Sequence, residues 1–228
     1  MCGRFVQTRE AENYGTYFLV DVIRTDEVLR SWNVAPTKQV YAVAEHEGER
    51  QLGTFDWGLL PFWAKDRKIG ARLINARVET AAEKPAFRDS FTARRCIIPA
   101  EGFYEWEPKD RGKLPHYFFA SDGRPLALAG LWSSWKDPDT DDRVRTCTIL
   151  TTDADNVVEP IHERMPVILP RTAWDPWLDT EITDAGVVGD LLAGSARPDL
   201  VEHAVSTLVN RVANDVPELI TPLETGAV

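Results

Sequence analysis

The sequence predicts a single α+β domain around a curved, mostly antiparallel β-sheet or barrel-like core, with peripheral helices. Three observations carry that reading. Short alternating or apolar runs dominate the second half, and clusters such as Lys109-Asp110-Arg111-Gly112 and Ser121-Asp122-Gly123 separate them. Of the 228 residues, 43% are hydrophobic and 27% charged, enough to build one packed core. No repeat, low-complexity tract or linker divides the chain. The domain is expected over residues 1–228, with a core at 2–209 and a C-terminal tail at 210–228.

Taken in order, residues 10–20 have the apolar spacing of a short helix, and 32–37 read as an extended stretch reaching Pro36. Residues 39–44 and 51–57 alternate as strands around a polar turn at 45–50, the pattern of a hairpin. A loop rich in basic and aromatic residues follows at 58–73. Residues 78–84 form a helix that stops before Pro85. Further strands are expected at 95–99, 102–106, 116–120, 126–132, 144–151 and 165–169. Helices are expected at 172–178 and 185–192, then a last strand at 201–209.

Composition excludes several classes. No apolar run approaches the roughly 18 residues that span a bilayer, so no membrane partner is expected. The start, Met1-Cys2-Gly3-Arg4-Phe5, has no basic segment followed by an apolar one, so it does not read as a signal peptide. A cytoplasmic protein is expected. Three widely spaced cysteines (Cys2, Cys96, Cys147) fit reduced thiols and give no metal-binding spacing. Cys96 and Cys147 lie in β-like runs and read as buried apolar residues. No metal or organic cofactor is expected.

The net charge of −10 is unusual for a partner of a polyanion, but its distribution matters more than its total. From Lys65 to Arg95, nine basic residues face four acidic ones, a local balance of +5. One basic face on an acidic body permits a nucleic-acid groove.

The N-terminus offers specific chemistry. Cysteine is small enough for Met1 to be removed ahead of it, leaving Cys2 with an amine and a thiol on adjacent carbons. Their ordinary pKa values, about 7.7–8.0 and about 8.5, make both nucleophiles reachable near neutrality. With an aldehyde, the amine forms an imine and the thiol then closes on the imine carbon, giving a five-membered thiazolidine. The second attack is intramolecular and gains from proximity.

Three later segments hold residue types that such chemistry requires. Glu105 lies among aromatic residues; facing inward, it would have a raised pKa suited to proton transfer, and facing outward it is a surface glutamate. His162 either donates to a developing oxyanion or is structural. Asn75 and Arg77 fall in the basic window, where an asparagine orients an amine and an arginine binds phosphate. Trp106, Trp132 and Trp135 read as core, whereas Trp57 and Trp63, beside the basic loop, are the stacking candidates.

Met1-Cys2-Gly3-Arg4-Phe5, Asn75-Ala76-Arg77-Val78-Glu79-Thr80, Glu101-Gly102-Phe103-Tyr104-Glu105-Trp106 and His162-Glu163-Arg164-Met165-Pro166 occur in that order. Together with Asn33-Val34-Ala35-Pro36-Thr37 and Trp57-Gly58-Leu59-Leu60-Pro61, they resemble the SOS response-associated peptidase family of abasic-site shielding proteins. The resemblance runs from Cys2 to about Leu169. It implies a thiazolidine between Cys2 and the aldehyde of an abasic site in single-stranded DNA, formed by a monomer during the DNA-damage response. It further implies that Asn75 positions the amine, Glu105 is acid and base, and His162 stabilises the opened sugar. Arg4, Arg77 and Arg164 would hold phosphates, and Asn33, Pro36 and Trp63 would line the cleft.

Three rivals use the same residues differently. An N-terminal nucleophile hydrolase would use the amine as base for its own thiol, but the amide-binding motifs it needs are not found. A cysteine peptidase would pair Cys2 with His162 and Asn75 and needs no free amine. Removal of Met1 is the one peptide cleavage the abasic-site reading asks for. A non-covalent single-strand-binding module would need only the basic and aromatic loop.

Overall fold

The computed structural model describes residues 2–25, 30–193 and 198–223. The chain starts in β1 (Phe5–Gln7), α1 (Ala11–Tyr17), β2 (Val22–Arg24) and β3 (Ser31–Val34), then forms the hairpin β4 (Gln39–His46) and β5 (Glu49–Trp57). Next come β6 (Asn75–Arg77), α2 (Val78–Ala81), α3 (Arg88–Ala93), β7 (Arg95–Ala100), β8 (Gly102–Pro108), β9 (Lys113–Ala120), β10 (Leu126–Lys136) and β11 (Arg143–Asp153). The chain closes with β12 (Arg164–Pro166), α4 (Trp174–Leu178), α5 (Ala185–Ala193) and β13 (Leu200–Ala204).

Two sheets result. One runs β13-β9-β8-β1-β3 and is antiparallel throughout. The other runs β12-β11-β10-β7-β4-β5-β2, and β6 pairs parallel to β11. A further parallel contact, Thr146 beside Asp56 and Cys147 beside Trp57, joins β11 to β5. The ring β5-β4-β7-β10-β11 therefore closes on itself and leaves no open edge. The α+β, barrel-like prediction matches this architecture.

Alternation along the strands sorts their side chains between two cores. Ala42, Phe55, Ile98, Leu128, Cys147 and Ile149 fill the barrel together with Cys2, Phe5, Phe103 and Phe118. The opposite face, with Tyr41, Leu52, Ile97 and Leu131, is covered by the helices through Tyr14, Phe91, Trp174 and Trp177. Each large side chain removed from water in this way contributes about 1.5–3 kcal/mol.

The short β1 sets the position of the N-terminus. Phe5 lies opposite Val34 and Phe103, and its ring meets Trp57 edge-on at 5.0 Å. Buried Gln7 donates to the carbonyls of Pro99 (2.8 Å) and Tyr41 (3.3 Å) and accepts from the Tyr41 amide at 2.8 Å. These bonds tie the strand to β4 and β7, so the residues ahead of it have little freedom.

Several local expectations differ in detail. The strand expected over 201–209 ends at Ala204, because the Ser206 hydroxyl accepts from the Leu208 amide and starts a 3₁₀ turn at Thr207–Asn210. The helix expected over 78–84 is only Val78–Ala81, and α3 beyond Pro85 was not expected. Within the loop at 58–73, Asp66 caps a 3₁₀ turn at Arg67–Arg72. There Gly58 and Gly70 cross backbone to backbone: a side-chain carbon on Gly58, whose φ is +139°, would stand 2.6 Å from the Gly70 carbonyl oxygen.

Packing continues past residue 209. Leu219 is buried with Val6, Tyr104, Tyr117 and Val209. Residues 224–228 of the expected tail, and Met1, lie outside the described residues. No helix among the described residues is long and apolar enough to cross a membrane.

Candidate active site

Cys2 is fully buried at the barrel core, among Trp57, Ile149, Ile161 and Met165. Asn75, the first residue of β6, lies opposite Ile149 in the parallel ladder, and this register brings it to the N-terminus. Its Nδ2 donates to the Cys2 carbonyl at 2.8 Å. Its Oδ1 is buried and has no hydrogen-bond partner among the described residues.

Glu105 is on β8, in the sheet that carries β1, and is 2% exposed. It therefore faces inward, the alternative that suits proton transfer. Burial raises its carboxyl to about 7, against the pull of the chain's N-terminal amine and of Lys113. Burial also pushes the Cys2 thiol up, and the nearby Glu105 carboxylate adds to that shift. The thiol therefore needs a base to ionise.

His162 precedes β12. Its Nδ1 lies 2.9 Å from the Arg164 amide nitrogen and 3.0 Å from the Arg164 carbonyl oxygen, so in the neutral ring it accepts from the amide or donates to the carbonyl according to the tautomer. Burial lowers its pKa, as does the N-terminal amine, which favours that neutral form. Nε2 lies 3.9 Å from Glu105 Oε2. Both side chains open into a cleft of about 520 Å³ that Trp106, Lys113 and Asn210 also line.

These last three residues were missed in the sequence. Trp106, expected in the core, packs half-buried against the cluster of Val6, Tyr104 and Tyr117 and also lines the cleft, with Nε1 donating to Asn210 Oδ1 at 2.7 Å. Lys113 could have been found from the hairpin, whose turn sets it opposite Pro108 and near Glu105. No sequence signal points to Asn210, which arrives from 105 positions beyond Glu105.

The expected strand-binding residues divide into two groups. Arg77 is exposed at the end of β6, two residues from Asn75, and Trp63 is 48% exposed beside Phe62. Pro36 is half-buried at the end of β3. Trp57, by contrast, is fully buried with Nε1 donating to the Ile74 carbonyl, which removes it as a stacking surface.

Arg164, expected to hold a phosphate, is engaged within the fold. Its side chain is 5% exposed, and its two terminal nitrogens donate to both Glu79 carboxylate oxygens, to Asp153 and to the Thr151 carbonyl. It holds β12, and with it His162, against β11. Arg4 and Asn33 are also engaged within the fold. Arg4 donates to Asn33 Oδ1 (2.6 Å) and the Val209 carbonyl (2.9 Å), and its guanidinium lies 6.0 Å from the centre of the Trp106 ring. Asn33 Nδ2 donates to the carbonyls of Val209, Arg211 and Asn214. This pair fixes the segment that delivers Asn210 to the cleft.

Among the described residues, no group of three His, Cys, Asp or Glu side chains is arranged to hold a metal ion. A buried cysteine at the chain start, clasped by an amide and faced by a carboxyl of raised pKa and a neutral imidazole, defines a site for nucleophilic chemistry with proton transfer at hand. The chain belongs to the SOS response associated peptidase (SRAP) family, whose model matches residues 1–212.

It is 40% identical over 222 residues to abasic site processing protein YoqW of Bacillus subtilis (strain 168), a match covering 96% of this chain and 99% of the relative. It is 31% identical over 229 residues to abasic site processing protein YedK of Escherichia coli (strain K12), covering 98% and 100%. The fold is shared with a crystal structure of a Bacteroides thetaiotaomicron protein. That match has a TM-score of 0.85 and 24% identity, and covers 97% of this chain and all of that one.

Proposed function

We propose that this protein captures abasic sites in single-stranded DNA as a covalent shield, using both the amine and the thiol of Cys2. The observation that carries the reading is the Asn75–Cys2 hydrogen bond beside a carboxyl raised to about 7. The relatives are named abasic site processing proteins, which supports the same lesion as the substrate here.

The Cys2 nitrogen becomes an amine only when Met1 is removed, a cleavage we assign to the same site. In the abasic sugar the C1′–O4′ bond breaks, giving a C1′ aldehyde and a 4′-hydroxyl, and His162 Nε2–H donates to the departing O4′. The amine attacks C1′, forming the N–C1′ bond and a carbinolamine. Protonated Glu105 gives its proton to the hydroxyl, which leaves as water, and a protonated imine remains. The Glu105 carboxylate then takes the thiol proton, which restores its protonated form, and Sγ bonds to C1′ as the C=N electron pair returns to the nitrogen. One aldehyde and one aminothiol become a thiazolidine and one water, with no oxidant or reductant required.

Asn75 holds the Cys2 carbonyl, which aims the neighbouring nitrogen. Arg77 meets a phosphate, and Trp63 and Trp106 offer faces on which bases stack, each worth about 1–3 kcal/mol. The protein acts as a monomer in the cytoplasm, at the nucleoid when bound. A peptidase would not need the free amine, so blocking the N-terminus separates that reading from this one.

The test is a denaturing gel of protein incubated with a single-stranded oligonucleotide carrying one abasic site. Wild type is expected to give a heat-stable shifted band, and Cys2→Ala and an N-terminally blocked form are expected to give none. A blocked form that shifts as well as wild type would exclude the mechanism.

A further inference from the structure

The barrel carries a second cavity, where β4 ends and β11 begins. The side chains facing the barrel interior are apolar along most of β4, β5, β10 and β11, but the same faces turn polar there. His46, Arg143 and Arg145 rim this cavity of about 350 Å³, whose floor is Ala44, Gly53, Phe55 and Trp132. It shares no residue with the Cys2 cleft, and Arg145 lies four residues along β11 from Ile149, the partner of Asn75.

Three features distinguish it from an ordinary gap. First, neither Arg143 nor Arg145 has an ion pair or side-chain hydrogen bond among the described residues. Neighbouring cations are engaged: Lys136 pairs with Asp141 and Arg67 with Asp56. Second, the Trp132 indole N–H has no partner among the described residues, whereas Trp57 and Trp135 donate to the carbonyls of Ile74 and Ala64. The Trp132 ring is braced edge-on by Phe55 at 5.9 Å. Third, Gly53 makes room for the Arg145 guanidinium over the floor, since a side-chain carbon there would stand 3.3 Å from Arg145 Nη1. An aromatic floor, a free indole donor and two unpaired guanidinium groups are complementary to a planar ring bearing an anionic group.

The geometry points to a second binding site, for a mononucleotide-sized aromatic anion, with its ring against Trp132 and Phe55 and its phosphate between Arg143 and Arg145. A volume of about 350 Å³ lies at the small end of ligand pockets, which suits one nucleotide and excludes a dinucleotide. The same chemistry is offered by a free mononucleotide and by the 5′-phosphorylated end of a strand. The site does not depend on the chemistry at Cys2.

Isothermal titration of the full chain with a deoxynucleoside monophosphate, its nucleoside and inorganic phosphate tests this, repeated with R143Q/R145Q. Both arginines are exposed, and circular dichroism verifies that the variant is folded. The nucleotide is expected to bind wild type more tightly than either fragment, and the double variant is expected to lose about tenfold or more in affinity, roughly 1.4 kcal/mol. A 5′-phosphorylated oligonucleotide that displaces the nucleotide would assign the site to strand ends; failure to displace it would assign a free mononucleotide. No binding below about 10 mM, equal binding by the double variant, or phosphate binding as tightly as the nucleotide would each overturn the proposal.

Discussion

His162 Nε2 stands 3.9 Å from Glu105 Oε2, with the ring's other nitrogen held by the Arg164 backbone. Two groups whose charged forms burial disfavours thus face one cleft, the carboxyl raised to about 7 and the imidazole lowered. At neutrality the imidazole is largely neutral, and the carboxyl is in its proton-carrying neutral form in about half of the molecules. That is the state needed to donate to a departing hydroxyl and to an opening sugar oxygen.

If protonated Glu105 assists loss of water, the rate of adduct formation falls as pH rises through about 7. Glu105→Gln is expected to be slower by about 10²–10⁴-fold and to lose that inflection. Single-turnover rates of adduct formation from pH 5 to 9 on both proteins would check it. An unchanged inflection in the variant would assign it to another group.

Stability should show the same carboxyl with a definite sign. Glu105 binds its proton more tightly when folded, about 7 against an ordinary 4.5, so wild type loses stability as pH rises across that window. Glu105→Gln does not titrate. It is therefore expected to match wild type below pH 4.5 and to be more stable by about 3 kcal/mol above pH 7. Urea unfolding at the two extremes reads the difference directly.

Asn75→Ala removes the donor to the Cys2 carbonyl. One hydrogen bond that orients a reacting group is worth about 1–1.5 kcal/mol, so capture should slow by roughly tenfold while binding to an intact strand stays unchanged. Comparing the adduct rate with the affinity for undamaged single strands separates positioning from binding.

Two of the three arginines in the expected phosphate set should behave oppositely. Arg77→Gln is expected to lower the salt dependence of strand binding by about 0.7 in log–log slope and to leave the melting temperature alone. Arg164→Gln should leave the slope intact and cost about 1–3 kcal/mol of stability, because it breaks charged hydrogen bonds to Glu79, Asp153 and Thr151. Salt titrations paired with thermal melts distinguish them.

The hairpin β4–β5 and the long strands β10 and β11 were legible because alternation over eight or more residues is a strong periodic signal. β1, β2 and β6 were not, since three residues carry no period. Their pairing is set by the rest of the sheet, and β1 and β6 bring Cys2 and Asn75 together. Residue chemistry singled out Cys2, Asn75, Glu105 and His162 as candidates and the family motifs assigned their roles; the structure sets Asn75 on the Cys2 carbonyl and His162 beside Glu105. The motifs did not reveal that Arg164 is spent inside the fold. A sequence gives an arginine's charge but not its partners, and Glu79 lies 85 positions away.

In the proposed adduct both nucleophiles of Cys2 bond to one sugar carbon, and mass spectrometry of the purified, nuclease-digested adduct distinguishes this from an imine. The expected product is a Cys2-terminated chain carrying the sugar less one water, whose Cys2 resists alkylation by iodoacetamide and whose mass is unchanged by borohydride. An alkylatable Cys2 thiol, or an adduct that gains hydrogen from borohydride, would show an imine alone and rule out the thiazolidine.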